Sequence, residues 1–503
     1  MEYSLKLNFL IRFALSSLTA HATLAAKPES TKAQQPVFKL DLMVEPLTLD
    51  PSQQKGSGAM YLMNALQLPL FLSDLNNRFK PGILEKCDWL STLKLSCKLV
   101  ADRKWSQGQI INSSDVKRTF DYFKDEKTQS LRPDLIQNIK TLSTPNKNTI
   151  IFELNIAEPR FQERLTSPLL SPIFTTKFPK IEEGQNLITS GPYKIEKWES
   201  KNKIKLAINP YFNGSPKRPP IEFYFISDDT TAMLLYQKQQ LDFLRRVPSS
   251  YIKSYSSKPD FHQSPLIRFD YLGFGPGMEK EDELRKILSE SLQYENWSKV
   301  LQALGRPGCF GIGLTLLKEN PCLNFEEKNI PHWKSKLSTN KLPPLELHYS
   351  TLGGEDHKRS MEWVQSEWKK NLGINISLKG MENSLFQREI NETPTLLFRF
   401  GVTLEHLSCY NALERFIQFP KSQLPFKNTK LLNLIKQLAE QKPNVSEEPL
   451  CRKALDLLLT EHWIIPLGRI HLSFLVRPEW KGWTLSPLNY LDLSELHLDE
   501  SLN

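Results

Sequence analysis

Residues 190–214 read SGPYKIEKWESKNKIKLAINPYFNG. Gly191-Pro192 opens a turn. Apolar and polar residues alternate over 193–198, a polar group at 199–202 breaks the run, and alternation resumes over 203–208. Asn209-Pro210 closes the second run, and Tyr211-Phe212 lead to Asn213-Gly214. A period of two sends alternate side chains to one face, so two such runs split by a polar turn predict a hairpin.

Upstream, 37–44 alternates as a strand and runs into Glu45-Pro46-Leu47-Thr48-Leu49-Asp50-Pro51, whose prolines bar a helix. Helical spacing marks 60–72. Residues 80–88 and 92–100 form a second hairpin, and Trp105 to Gln109 is a turn. Asn112 or Ser113 then caps a helix. Residues 131–143 read as helix or loop, 149–154 as a strand, and 161–169 as a short helix. Downstream, 222–226 is a strand and 228–238 an amphipathic helix. An apolar run, 266–274, precedes a helix over 283–304 with Leu284, Ile287, Leu288, Ser291 and Leu292 on one face. A Gly/Pro-rich loop covers 305–324. Strand 345–350, helix 357–371, a left-handed stop at Gly373 and strand 374–378 follow. Strand 396–400, helix 450–463, strand 464–467 and a closing segment 480–493 complete the chain. Strands alternating with helices of about 12–15 residues predict parallel-type α/β layers.

At 503 residues the chain exceeds one compact core, so two or three domains are expected. Hydrophobic residues make up 40% and charged ones 24%, which suits a globular protein. The net charge of +9 is spread, with no Lys/Arg tract of five or more, so no nucleic-acid partner is expected. Residues 1–26 carry Lys6, an apolar run broken by Arg12, and small residues at Ala25-Ala26. That pattern predicts a signal peptide and an exported, periplasmic protein. No cysteine follows it before Cys87, so no lipid anchor is expected, and no run of ~18 apolar residues predicts a membrane span. The six cysteines permit many pairings. Cys87 and Cys97 flank a turn, Cys309 and Cys322 flank the Gly/Pro-rich loop, and Cys409 and Cys451 remain, so those three disulfides are expected.

The opening stretch resembles the "GTGPYK…W…L…NP.YW.G" block of the family 5 extracellular solute-binding proteins, the peptide- and nickel-binding subunits of ABC importers. Residues 45–51 resemble the family's "EP.TLDP", and 112–116 lie in its "F.DG.P.TA.DV" block, with Ser106-Gln107-Gly108 where the family has His-Asp-Gly. Residues 239–243 resemble the "G.iD" step, 266–274 the crossover "YLGFN", and 283–304 the "D.RVRQAL..AIDR..I" helix. These blocks keep family order from about residue 36 to 500. The resemblance implies an α/β, two-lobed periplasmic-binding-protein type II-like fold with an extra subdomain in the first lobe. Lobe I would comprise 36–58, 170–265 and 471–503, the inserted subdomain 59–169, and lobe II 266–470.

It also implies a monomer that closes on a peptide or small anionic ligand and presents it to ABC transporter permease subunits. Implied contacts are Glu45 in the first signature, Tyr271 on the crossover, and Phe400, Gly401, Val402 and Thr403, where peptide binders carry a Trp-x-Ala-Asp segment. Thr403 replaces the carboxylate that takes a ligand's amine. Glu405 lies two residues on. Arg245, Arg246, Arg399 and Arg469 align around the same cleft, and forked guanidinium groups suit a ligand carboxylate. An acidic ligand is therefore expected. A binder of nickel or another metal chelate, or a sensor or chaperone on the same fold, are the competing readings. No GxSxG, HExxH, Walker or GxGxxG motif appears, so neither catalysis nor a cofactor is expected.

Overall fold

In the computed structural model the opening stretch is an antiparallel hairpin. Strand Tyr193–Glu199 pairs with Lys203–Ile208, with Tyr193 opposite Ile208 and Glu199 opposite Lys203. The structure describes residues 36–54, 57–73, 79–297, 307–312, 316–339, 342–392, 397–404, 408–414, 416, 428–441, 445–468 and 471–499. The expected signal peptide lies outside them.

The hairpin forms one edge of a seven-stranded sheet. Its order is Phe261–Pro265, His471–Val476, Phe243–Leu244, Phe38–Leu42, Ile221–Phe225, Lys203–Ile208, Tyr193–Glu199. The first strand of the chain runs parallel to both of its neighbours, and the other pairs are antiparallel. Phe38, Leu40, Tyr193, Leu206, Phe223 and Phe243 lose all exposure in its core, as the period-two pattern requires.

A five-stranded sheet builds the second lobe, in the order Ser377–Met381, Glu346–Ser350, Leu397–Thr403, Arg268–Phe274, Ile464–Pro466. The first three strands are parallel, linked by helices Gly354–Leu372 and Asn383–Glu392, and the last two join antiparallel. The expected parallel layering therefore holds for only part of each sheet. Gly373 ends the long helix at φ 75°, in the left-handed region.

A four-stranded antiparallel sheet, Leu84–Ser91, Lys94–Leu99, Thr149–Leu154 and Ile139–Asn146, carries helix Ser113–Lys124 over a third core. Asn112 caps that helix and Asp115 reaches back to the Asn112 backbone N–H, a reciprocal capping box. Helix Ser57–Leu66 serves two cores. Tyr61, Leu62, Ala65 and Leu66 pack under the seven-stranded sheet, and Met63 packs under the four-stranded one.

Several expectations shift. The helix read over 60–72 spans Ser57–Leu66, with strand Phe71–Ser73 after it, and 131–143, read as helix or loop, holds a short 3-10 turn at Pro133–Leu135 and the start of strand Ile139–Asn146. The strand read at 374–378 lies at Ser377–Met381. The helix read over 283–304 spans Asp282–Glu290, a short 3-10 turn follows at Tyr294–Asn296, and 298–304 lie outside the described residues. The helix stops because neighbours take its last carbonyls. The Trp368 indole donates to Leu288 O at 2.9 Å, Asn371 Nδ2 to Ser291 O at 2.7 Å, and Tyr294 OH to Ser289 O at 2.6 Å.

The three disulfides pair as expected, Cys87–Cys97, Cys309–Cys322 and Cys409–Cys451. The first staples facing residues of neighbouring strands. Among the described residues no helix is long and apolar enough to cross a membrane.

Candidate functional site: the space between the lobes

Two adjacent segments carry the chain between the large sheets. Strand Phe261–Pro265 of the first sheet passes into Arg268–Phe274 of the second, and Ile464–Pro466 of the second passes back into His471–Val476 of the first. Each pair is hydrogen-bonded within its own sheet, Pro265 opposite His471 and Tyr271 opposite Pro466. Two side-by-side strands constrain separation but leave bending cheap, which is the geometry of a hinge. A third strap lies beside them, where Ile267 N–H donates to Pro487 O at 2.8 Å.

The crossing strand also sorts its side chains. Asp270 lies opposite Gly401, and Leu272 opposite Arg399. Alternation therefore places Arg268, Asp270, Arg399 and Gly401 on one face, and Phe269, Tyr271, Phe398 and Phe400 on the other. The second face is core: Tyr271 packs against the rings of Phe269, Phe398, Phe400 and Phe416. Tyr271 and Phe400, expected as ligand contacts, are 2% and 5% exposed, so their side chains belong to the lobe; the main chain of Tyr271 is flanked by strands on both sides, opposite Phe400 and Pro466, which leaves it no open edge.

The first face is polar. The Asp270 carboxylate accepts from Arg268 Nε at 2.8 Å, Arg268 Nη2 at 3.0 Å and Arg399 Nη2 at 3.1 Å. It lies directly over Gly401, where an added Cβ would stand 1.9 Å from Asp270 Oδ1. Only glycine leaves room for that carboxylate. Arg399 is buried, and its Nε reaches no hydrogen-bond acceptor among the described residues. His357 Nδ1 lies 2.9 Å from Ser350 O, to which it donates, and 3.5 Å from Arg399 Nη1. Burial holds His357 well below the usual histidine range, helped by Arg399, Arg246 and Arg268, so the ring is neutral. Burial likewise pushes Arg399 down to about 10, with Arg268 and Arg246 adding to the effect against Asp270.

The first lobe answers with Arg245 and Arg246, directly after strand Phe243–Leu244. Arg245 N–H donates to Asp41 Oδ1 at 2.7 Å, and its Nη2 donates to Asp229 Oδ1 at 3.1 Å. Arg246 crosses the gap: its Nη1 donates to Gly353 O at 3.0 Å and lies 3.5 Å from Asp229 Oδ2. Arg359 of the second lobe returns the contact, donating to Ser249 Oγ at 2.7 Å. A separate bridge joins the small subdomain to the second lobe, with Arg160 Nη1 3.4 Å from Glu447 Oε2 and Arg164 Nη2 3.5 Å from Glu414 Oε2.

Glu45 does other work. Its carboxylate accepts from the Trp198 indole at 2.8 Å and from Lys201 N–H at 3.0 Å, clamping the opening hairpin at its turn. Val402 and Thr403 continue the strand opposite Phe269 and Arg268. Arg469 and Glu405 lie outside the described residues. Reading by motif missed Asp270, Arg268, His357, Asp229 and Asp41. One signal was visible: Arg268 and Asp270 sit two apart in an otherwise apolar strand, which puts opposite charges on one face. Among the described residues no three His, Cys, Asp or Glu side chains gather as a metal site.

The main chain of Leu397–Thr403 is unevenly satisfied. Its first two residues pair on one side with Leu347 and His348, while all seven pair on the other with the crossing strand. Among the described residues, Arg399–Thr403 therefore keeps one open strand edge.

The model of the bacterial extracellular solute-binding proteins, family 5, matches residues 78–300. The oligopeptide-binding protein OppA of Bacillus subtilis is 21% identical over 474 residues, spanning 86% of this chain and 87% of that protein. The Escherichia coli murein tripeptide-binding protein MppA superposes with TM-score 0.80 at 17% identity, over 93% of this chain and 99% of that one. OppA of Haemophilus influenzae in complex with RPPGFSPFR gives TM-score 0.76 at 17% identity, over 93% and 99%.

Proposed function

Because this chain belongs to the family 5 extracellular solute-binding proteins, we propose that it captures peptides between its two lobes and hands them to an ABC importer. The open edge of Arg399–Thr403 carries this reading. An extended peptide laid there gains main-chain hydrogen bonds whatever its side chains, the economy of strand addition. Contacts from both lobes then favour the closed arrangement, and closure is a population shift driven by that differential binding. The peptide ligands named for its relatives support the same reading.

In this reading the protein is exported by residues 1–26, acts outside the cytoplasm as a monomer, and meets the permease subunits when closed. It performs no catalysis and needs no cofactor. Three disulfides suit an oxidising compartment. The core memberships support lobes at 36–58, 170–265 and 471–503 and at 266–470, with 59–169 inserted, helix Ser57–Leu66 being shared across the first boundary. The test is mass spectrometry of ligand carried through native purification, followed by titration of those peptides with small-angle scattering and tryptophan emission as readouts. Bound peptides and a smaller radius of gyration are expected. A protein that carries none, and shows no response to a broad peptide mixture, would overturn the reading.

A further inference from the structure

The small subdomain leaves and rejoins the first lobe, so it meets the second lobe through side chains rather than through shared chain. That meeting is charged and largely buried. Arg160 Nη1 lies 3.8 Å from Glu163 Oε1 of its own segment and 3.4 Å from Glu447 Oε2 of the second lobe. Arg164 pairs with Glu158 of its own segment, and its Nη2 stands 3.5 Å from Glu414 Oε2 of the second lobe. The remaining oxygens have fixed neighbours. Glu158 accepts from Asn138 Nδ2 at 2.7 Å, and Glu414 accepts from Asn411 Nδ2 at 2.6 Å and faces the Tyr410 hydroxyl. Glu447 accepts from Cys409 N–H at 2.9 Å and Ser408 Oγ at 3.1 Å, next to the Cys409–Cys451 disulfide. Glu163 faces Arg160, Arg164 and Glu158 from its own side and Glu447 from the second lobe. Burial, with Glu447 and Glu158 adding to it, pushes its carboxyl up to about 7.

We propose that this contact is a proton-linked latch, which holds the closed arrangement more firmly in acid than in alkali and so ties ligand capture to pH. The inference rests on the reading that the lobes open and close about the crossing strands. Opening carries Glu447 and Glu414 away from Arg160 and Arg164, and returns Glu163 to water, where its carboxyl titrates near 4.5. Closing removes that water and sets Glu447 alongside, so Glu163 takes a proton from solvent. A group that binds its proton more tightly in the closed form favours closure below its closed-form titration point. Here the gain is full below about 4.5 and is lost as pH rises through about 7. Arg160 and Arg164 stay charged throughout and supply the attraction across the gap. Buried His357, at the other contact between the lobes, is neutral over this range and does not mask the effect. None of the latch groups belongs to strand Leu397–Thr403, so the pH dependence does not require the ligand to titrate.

Single-molecule energy transfer on the full chain reads the latch. Dyes go on Lys98→Cys of the small subdomain and Lys369→Cys of the second lobe, both exposed positions. The probe is a tryptic digest of casein, at the concentration that closes half of the wild-type molecules at neutral pH. From pH 5.5 to pH 8.5 the ratio of closed to open molecules should fall at least about threefold, and about 30-fold if the whole rise from 4.5 to about 7 arises on closing. Glu163→Gln is neutral at every pH, so its fall should be at least about threefold smaller than that of the wild type. Titration of the digest itself moves both proteins alike and cancels in the comparison. Glu447→Gln removes the like charge that the second lobe brings, and should also shrink the fall, which keeps the test decisive where Glu163→Gln fails to fold. A wild-type ratio that does not fall, or a fall of equal size in both variants, would overturn the latch and leave peptide capture standing. A digest that closes the protein at no pH would overturn both.

Discussion

Glu163 offers a perturbation whose size can be worked from the structure. It lies in the short helix Phe161–Arg164, where the small subdomain meets the second lobe, with its side chain 16% exposed. Burial pushes its carboxyl from 4.5 up to about 7, and Glu447 and Glu158 add to that, against Arg160 and Arg164. The native state therefore holds a proton that the unfolded chain releases near 4.5. The contribution is fully present below pH 4.5 and is lost as pH rises through about 7. At about 1.36 kcal/mol per pH unit, that interval amounts to about 3 kcal/mol. Glu163→Gln keeps the neutral form at every pH. The variant should match the wild type at pH 4.5 and exceed it by about 3 kcal/mol at pH 8. Urea unfolding at both pH values, with disulfides intact, measures the difference. A gap that is the same at both, or a variant less stable at pH 8, would refute the reasoning.

Three further outcomes are expected. Arg164→Ala removes a buried guanidinium from Glu158 and Glu414, which retain the amides of Asn138 and Asn411, and should lower the stability of the small subdomain by about 3 kcal/mol in urea unfolding. Gly401→Ala drives a methyl group into the Asp270 carboxylate, and should cost about 1–3 kcal/mol in the same assay while loosening the Arg268–Asp270–Arg399 cluster. Replacing Cys409 and Cys451 together by serine opens a loop of 42 residues and should cost about 4 kcal/mol by loop entropy, read as a lower urea midpoint of the second lobe.

The hairpin at 193–208, the Asn112 cap, the Gly373 stop and the Cys87–Cys97 staple were legible because each depends on residues close in the chain. Side-chain period, local capping and strand pairing across a short turn are local physics. Family order across the blocks extended this to the two-lobed fold. Element ends were less legible where distant side chains intervene, as Trp368 and Asn371 do at the end of helix Asp282–Glu290. Glu45 was placed in the right loop, yet its carboxylate turns to Trp198 and Lys201, a contact set by how the first strand enters its sheet.

The candidate site is another matter. Asp41, Asp229, Arg245, Arg246, Arg268, Asp270, His357 and Arg399 come from six separate segments and meet only after two sheets have closed on a shared hinge. The sequence by itself determined most of the strands and helices and where three disulfides fall, and the family order of its blocks implied two lobes. The tertiary structure alone decided that Asp270 falls opposite Gly401, that the missing side chain there makes room for a carboxylate, and that two arginines grip it. Register is the physical reason. Shifting strand Arg268–Phe274 by one residue against Leu397–Thr403 would exchange the charged face for the aromatic one.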